Sequence, residues 1–203
     1  DTRSFKKILD SIECKKKCKS FHEHNEDIIC KEIIKHLKNK KHVVLTCEAG
    51  TPAISDPGYK LNRECLNLDL KYTLIPGPSS LINAVLLSGL PTDKFYFEGF
   101  LPTNKNQKEV KFRELQFYRG TLIFYESAKR LKDTLVKAAE VFGGDRQGVV
   151  CREITKKFED IKRGRLKELS KFYSDKNVKG EIVLLVAGAG STIIDRNELE
   201  QLS

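Results

Sequence analysis

The sequence predicts an α/β protein of two domains, and three observations support this prediction. Short apolar runs with strand character alternate with segments whose apolar residues recur at helical spacing. Glycine- and proline-rich turns follow several of these runs, as in βαβ units. A polar, lysine-rich stretch at Pro102–Lys111 interrupts the alternation. We therefore place a boundary near Glu98–Pro102 and expect domains of residues 1–97 and 98–203.

In the first half, we expect a helix over Asn25–Leu37, with Asn25 as its cap and an apolar stripe along one face. A strand, Val43–Cys47, should follow. The turn-rich segment Glu48–Gly58 then leads into another helix, for which Asp56 is a plausible cap and Pro57 the first residue.

A second strand, Tyr72–Ile75, runs into the turn Pro76–Ser80 and then into an apolar helix, Leu81–Ser88. Ligands of parallel sheets bind where such turns leave the strands. Small residues let backbone amides and hydroxyls approach a ligand closely, although plain turn chemistry explains the same composition. The small residues of the two turns are Ala49, Gly50, Thr51, Gly77, Ser79 and Ser80.

The second half repeats the alternation of strands and helices. We expect strands at Thr121–Tyr125, Gly148–Cys151, Phe158–Arg163 and Glu181–Ala187, and helices at Ala128–Phe142 and Leu166–Tyr173. Charged residues concentrate directly after one of these strands, from Arg152 to Glu159. Such a segment is either a solvated face with mutual ion pairs or part of a site at the end of a strand.

Composition is typical of a globular protein, with 203 residues of which 39% are hydrophobic. We expect a cytoplasmic protein, because the sequence has neither a membrane-length apolar run nor a signal-peptide pattern. The six cysteines are scattered, so a disulfide framework is not expected. A net charge of +9 would suit a polyanion such as RNA, but lysine is abundant throughout the chain.

Cys14, Cys18, His22 and His24 are four potential zinc ligands close together in sequence. The His-x-His spacing is not the usual second half of a zinc finger, and three lysines separate the cysteines. We therefore expect no metal, and interpret the histidines and Asn25 as polar surface or as a helix cap.

Nine segments, considered together and in order, identify a family. They are Asp1–Arg3, His22–Glu26, Glu48–Gly58, Ile75–Ser79, Gly89–Asp93, Phe97–Pro102, Leu122–Ser127, Arg152–Lys156 and Gly180–Glu181. This succession closely resembles the ribosomal RNA small subunit methyltransferase I family, a branch of the tetrapyrrole methylase superfamily.

The resemblance implies a tetrapyrrole-methylase-like α/β fold, with a mostly parallel sheet in the N-terminal domain and a mixed sheet in the C-terminal domain. It also implies a homodimer that binds S-adenosyl-L-methionine in the cleft between its two domains. The substrate would be 16S rRNA or the assembled small ribosomal subunit, methylated at the ribose 2′-oxygen of a cytidine. The residues that match the family's cofactor site are Gly50, Thr51, Ile54, Ser79, Ser80, Tyr125, Glu126, Gly180 and Glu181.

Methyl transfer to a ribose hydroxyl requires alignment of the reacting atoms and a group that manages the hydroxyl proton. Glu153, or Lys156 with a depressed pKa, is a candidate proton acceptor or oxyanion stabiliser. Arg152 or Arg3 could instead hold a phosphate. The candidate RNA-binding residues are Arg3, His22 and Asn25.

Two departures from the family pattern are visible. Glu48 stands where the family usually has aspartate, and the family has a strand and a cofactor-binding turn upstream of the segment in which this chain begins. Because the chain starts at Asp1 and contains no methionine, we expect such a strand and turn to precede it.

Two alternatives remain open. A tetrapyrrole or diphthine methyltransferase would use the same fold, although Glu98–Pro102 and Arg152–Lys156 favour the RNA branch. A truncated, non-catalytic RNA-binding remnant is the other alternative.

Overall fold

The computed structural model describes residues 2–47 and 49–191. Two units emerge from its internal contacts, Asp1–Ser79 and Ser80–Ser203. This division precedes the boundary predicted at Glu98–Pro102, because that stretch begins inside a strand, Phe95–Phe100 (β1), which pairs within the second unit. Local composition could not reveal that pairing, since its partner strand comes more than twenty residues later.

Among the residues described, the first unit contains three helices, α1 (Thr2–Ser11), α2 (Glu26–Lys38) and α3 (Tyr59–Asn67). The predicted α2 is confirmed. Helices α2 and α3 pack together through a small core of Cys30, Ile34, Leu61 and Cys65. The basic opening of the chain, for which no element was predicted, forms α1.

Asn25 is the N-cap of α2, but its side chain serves the preceding loop. Its Oδ1 accepts the backbone N–H of His22 at 2.9 Å, and its Nδ2 donates to the carbonyl of Ser20 at 3.0 Å. The carboxamide makes no bond to the first-turn amides of the helix. Asn25 therefore fixes the chain that enters α2.

The predicted strands Val43–Cys47 and Tyr72–Ile75 are not strands in the structure. Val44 is 80% exposed and Ile75 is 83% exposed. An extended segment becomes a strand only when a neighbour takes up its amides and carbonyls, and the described residues of the first unit supply no such neighbour. The parallel sheet predicted for this unit is accordingly absent from its described residues, because apolar runs indicate propensity but not pairing.

The described residues of the second unit form a mixed sheet, as predicted, with five strands in the order β1-β2-β5-β3-β4. β1 and β2 are parallel, and the other neighbours are antiparallel. The remaining strands are β2 (Thr121–Ser127), β3 (Gln147–Arg152), β4 (Asp160–Arg165) and β5 (Glu181–Val186). The helices are α4 (Ser80–Ser88), α5 (Lys105–Leu115), α6 (Leu131–Phe142) and α7 (Leu166–Tyr173). No helix among the described residues has the length and apolar character to cross a membrane.

Helix α5 begins within the polar, lysine-rich stretch Pro102–Lys111, for which no helix or strand was predicted. Asn104 caps it, because its Oδ1 accepts the backbone N–H groups of Asn106 and Gln107 at 2.9 and 3.2 Å. A single buried face holds Lys108, Phe112 and Leu115. The charged residues on its other faces conceal this narrow apolar stripe from a composition-based prediction.

Strand β2, which lies between β1 and β5, presents alternate residues to two cores. Leu122 and Phe124 pack in the larger core with α5, α6 and α7. Ile123 and Tyr125 pack in the smaller core with residues of α4. Because of this alternation, the two neighbouring site candidates on β2, Tyr125 and Glu126, lie on opposite faces of the sheet.

Candidate functional site

The first Gly/Pro turn, residues 49–58, has a strained backbone. Ala53 and Ser55 have φ values of 65° and 56°, in the left-handed region that costs a non-glycine residue about 1 kcal/mol or more. The Thr51 hydroxyl donates to the carbonyl of Pro78, at 3.2 Å. The first turn is thereby bonded to the second turn, residues 76–79.

Other predicted cofactor residues of the first unit lie on the same turns. Gly50 has a φ of 73°, and an added Cβ there would lie 3.9 Å from the carbonyl oxygen of Pro78. Ile54 is 43% exposed, so an apolar side chain stands free on the first turn. Ser79 is half-buried at the end of the second turn. Glu48 lies outside the described residues.

Helix α3 begins after the N-cap Gly58, not after the predicted cap Asp56. Gly58 has a φ of 145°, and a Cβ there would lie 2.9 Å from the Cβ of Ala53, so glycine is required. The Gly58 amide donates to Oε1 of the buried Glu26 at 3.0 Å. Sequence analysis missed Glu26, whose only signal was its place at the end of the matching segment His22–Glu26.

In the second unit, the hydroxyl groups of Ser80 and Tyr125 are hydrogen-bonded at 3.1 Å. The ring of Tyr125 packs edge-on against Phe97, with centroids 4.8 Å apart, and against Phe100 at 5.5 Å. Two hydroxyls beside an aromatic cluster can bind a heterocycle and its polar substituents. Phe97 and Phe100 were not predicted as site residues, although both lie in the matching segment Phe97–Pro102.

Glu126 lies on the opposite face of β2, in a buried hydrogen-bond network. Its Oε1 accepts from the backbone N–H of Ser127 and from Nε of Arg130, each at 2.7 Å. Its Oε2 accepts from the hydroxyl of Thr134 at 2.6 Å, and that hydroxyl accepts from Nζ of Lys108 at 2.7 Å. Burial lowers the pKa of Lys108. The carboxylate thus has partners inside the unit at both oxygens, and its predicted contact with the cofactor stays a prediction.

Glu153, Lys156 and Glu181 form an ion cluster after β3. Nζ of Lys156 lies 3.0 Å from Oε1 of Glu153 and 2.9 Å from Oε2 of Glu181. Oε1 of Glu153 also accepts the backbone N–H of Glu181 at 2.8 Å. The sequence left open whether the charges of Arg152–Glu159 form mutual ion pairs or a site, and in the structure Glu153 and Lys156 pair with each other and Lys156 also pairs with Glu181.

The charges of the cluster stabilise one another. The hydrogen bond from the Glu181 amide and that from Lys156 lower the pKa of Glu153. The carboxylates of Glu181 and Glu153 raise the pKa of Lys156. The depressed pKa predicted for Lys156 is therefore wrong, because burial is slight and two anions favour its protonated form.

Because residue 180 is a glycine, it leaves space for the side chain of Glu153. Gly180 has a φ of 99°, and a Cβ there would lie 2.5 Å from Cγ, Cδ and Oε1 of Glu153. Glu153 itself has a φ of 51°. Arg152, half-buried beside it, donates through Nη1 to the carbonyl of Lys179 over a long 3.5 Å.

Two of the three predicted RNA-binding residues, His22 and Asn25, are bonded to each other in the loop before α2. His22 is exposed, and its ring centroid lies 6.0 Å from that of His24. Asn25 is engaged with the loop before α2. The side chain of Arg3 lies outside the described residues. Within residues 2–47 and 49–191, no group of His, Cys, Asp or Glu side chains is arranged to hold a metal ion.

If the site performs the methyl transfer that the sequence resemblance implies, replacing Lys156 with glutamine should slow it by a similar factor across about pH 6 to 9, because the raised pKa keeps the native lysine protonated over this range. The check is a pH–rate profile of the variant and the native protein. If the native rate rose with pH on a limb that the variant lacks, Lys156 would be acting as a base.

Comparison with known proteins covers most of the chain. Residues 2–170 match the family model of the Tetrapyrrole (Corrin/Porphyrin) Methylases. Ribosomal RNA small subunit methyltransferase I of Rickettsia prowazekii is 43% identical over 93% of this chain and 67% of that protein. The protein of the same name from Halalkalibacterium halodurans is 40% identical over 95% of this chain and 66% of its own length. The chain thus spans about two thirds of these relatives.

Solved structures agree in fold. The methyltransferase CobJ gives a TM-score of 0.61 at 16% identity, covering 82% of this chain and 72% of that one. Uroporphyrin-III C-methyl transferase from Thermus thermophilus, solved with S-adenosyl homocysteine, gives a TM-score of 0.54 at 15% identity, covering 80% and 73%. At such low identity these likenesses establish the fold alone.

Proposed function

The chain belongs to the tetrapyrrole methylase family, in its branch of ribosomal RNA small subunit methyltransferases I, and from this we propose that it methylates small-subunit ribosomal RNA. The methyl donor is S-adenosylmethionine, and the acceptor is the ribose 2′-oxygen of a cytidine in 16S rRNA. The observation that carries the proposal is the identity of 35–43% to relatives of that name along nearly the whole chain.

The described residues include the types of group that S-adenosylmethionine requires. Its amino-acid end and ribose need hydroxyls and backbone amides at close range, which small residues in tight turns can offer. In the first unit, Gly50, Thr51 and Ser79 meet this need, and a Cβ at Gly77 would meet no atom within 4 Å. In the second unit, Ser80 and Tyr125 supply hydroxyls beside aromatic rings. Ile54, Gly180 and Glu181 complete the proposed set.

S-adenosylmethionine supplies a methyl group on a positively charged sulfur, and the protein has to bring a ribose oxygen into line with it. Alignment is therefore the principal task of the turns. The left-handed residues restrict the backbone of the first turn before binding, and the Thr51–Pro78 hydrogen bond favours the joined arrangement of the two turns, so binding has less to order.

The ion cluster governs charge near the acceptor. Because the pKa of Glu153 is lowered, its carboxylate is a weak base, and it acts by holding Lys156 and the Glu181 amide in place. The protonated Lys156 stabilises negative charge that develops on the ribose oxygen or lies on a phosphate. Arg152, held by one long hydrogen bond, is the second cation for a phosphate of the RNA.

The test is methyl transfer to small ribosomal subunits that lack the modification. Purified protein, radiolabelled S-adenosylmethionine and either subunits or free 16S rRNA are incubated, and the RNA is digested to nucleosides. We expect label in 2′-O-methylcytidine. Label in another nucleoside would overturn the assignment to the ribose of cytidine, and label in a tetrapyrrole substrate instead of RNA would overturn the substrate class.

A further inference from the structure

We propose that Glu26 is a positioning residue that holds the first turn, residues 49–58, in the shape that binds S-adenosylmethionine. The inference rests on the proposed function, because it concerns a turn assigned there to the methyl donor. Glu26 is the first residue of α2 and only 7% exposed.

The main partner of the Glu26 carboxylate is the turn and not a cation. Its Oε1 accepts the Gly58 amide at 3.0 Å, whereas its Oε2 lies 3.9 Å from Nζ of Lys60. The same Lys60 is only 2.8 Å from the exposed carboxylate of Asp27. A carboxylate taken out of water is costly unless hydrogen bonds compensate for the lost hydration. At Glu26 this compensation comes chiefly from one backbone amide, 32 residues further along the chain.

That amide lies where the turn is most constrained. A side chain at Gly58 would collide with Ala53, so the turn closes on itself at these two residues. Ala53 and Ser55 are both left-handed, and strained backbone persists only when its surroundings enforce it. Near its other end the turn is held by the Thr51–Pro78 bond. Without the Glu26 contact, the turn would keep that anchor but lose the one at Gly58.

Gly58 also begins the next helix. The amide of Asn62 donates to the Gly58 carbonyl at 3.0 Å, so Gly58 is bonded on one side to α2 and on the other to α3. Glu26 thereby couples the end of the turn to two helices that share a core. The carboxylate never touches the ligand in this account, and its effect is exerted through backbone geometry.

Two substitutions distinguish the effect of the length of the Glu26 side chain from the effect of its charge. Glu26→Gln keeps an oxygen at the same distance but removes the charge, and Glu26→Asp keeps the charge but is one methylene too short to reach Gly58. In calorimetric titrations with S-adenosylmethionine, we expect Glu26→Asp to weaken binding about tenfold. The turn would then be disordered before binding, and the free-energy cost of ordering it would reduce the affinity. Glu26→Gln should remain within about twofold of the native affinity.

Asp27→Asn is the matched control, since it removes the neighbouring carboxylate that shares Lys60 but does not contact the turn. It should bind as the native protein does. In steady-state assays, Glu26→Asp should raise KM for S-adenosylmethionine and leave kcat at saturation unchanged. A general loss of folded protein would instead lower the apparent kcat and leave KM alone.

Amide hydrogen exchange gives a readout that needs no ligand. In Glu26→Asp the Gly58 amide should exchange faster while the amide of Ile34, in the core of α2, keeps its protection. Equal affinities for the Asp and Gln variants, or an equal loss in Asp27→Asn, would overturn the proposal. Failure of the native protein to bind S-adenosylmethionine would overturn the proposed function and the ligand role of Glu26 with it, whereas Gly58 exchange would still decide whether Glu26 holds the turn.

Discussion

Replacing Glu126 with alanine is expected to destabilise the second unit by about 3–5 kcal/mol, the usual effect of removing one member of a buried charged network. The loss would leave Lys108, whose side chain is 6% exposed, and Arg130, 23% exposed, without their anion. It would also leave the Thr134 hydroxyl without its acceptor. Urea unfolding followed by circular dichroism measures the change.

Glu140→Ala is the matched control for this prediction. Glu140 lies on the same helix as Thr134 and pairs with Lys137 at 2.6 Å, but its side chain is 54% exposed. We expect it to cost less than about 1 kcal/mol, because water compensates for an exposed ion pair. If Glu126→Ala left stability intact and weakened only the binding of S-adenosylmethionine, Glu126 would be a ligand-contacting residue after all.

Replacing Gly180 with alanine is expected to reduce methyl transfer about 10²-fold, the scale of loss when a site is displaced by about 1 Å. The added Cβ occupies the space of the Glu153 side chain, so the carboxylate must leave Lys156 and the Glu181 amide. Backbone strain at the left-handed φ should cost about 1–3 kcal/mol in addition. Single-turnover rates at saturating S-adenosylmethionine, with unfolding curves, measure both effects.

Gly143→Ala is the control that distinguishes backbone strain from displacement of the Glu153 side chain. Gly143 has the same φ of 99°, but a Cβ there meets no atom within 4 Å. It should lose stability through strain and retain the native rate. In a Glu153→Ala background the Gly180→Ala change should have little further effect on rate, because the displaced side chain is already gone. Additive losses would argue against displacement as the cause.

The sequence predicted much of the fold where local pattern and final structure coincide. Leu166–Tyr173 is helical over the predicted range, and the apolar run at Glu181–Ala187 is the central strand β5 because such runs are typical of strands buried on both faces. Val43–Cys47 has the same character and forms no strand, since pairing depends on a neighbour and not on the run itself. The division of the structure at Ser79 and Ser80 differs from the boundary predicted near Glu98 for the same reason, because the pairing of β1 with β2 has no local signature.

For the candidate site too, the sequence predicted local features but not contacts between residues that are distant in sequence. The sequence predicted Thr51 and Ser80 as cofactor residues, but it could not predict the bond of Thr51 to Pro78 or that of Ser80 to Tyr125. The protonation tendency of Lys156 was predicted with the wrong sign, because it depends on Glu181, which is close in space but distant in sequence. Neighbours brought together by folding set these properties, and no single segment contains them.

The Thr51–Pro78 hydrogen bond closes a loop of 27 residues with one exposed contact. A single hydrogen bond contributes only about 1 kcal/mol net, and water competes for both groups because the contact is exposed. The two turns should therefore separate and rejoin far more often than the strands of the sheet unpair. In a cell, the fraction of chains with joined turns would then rise with the concentration of any ligand that contacts both.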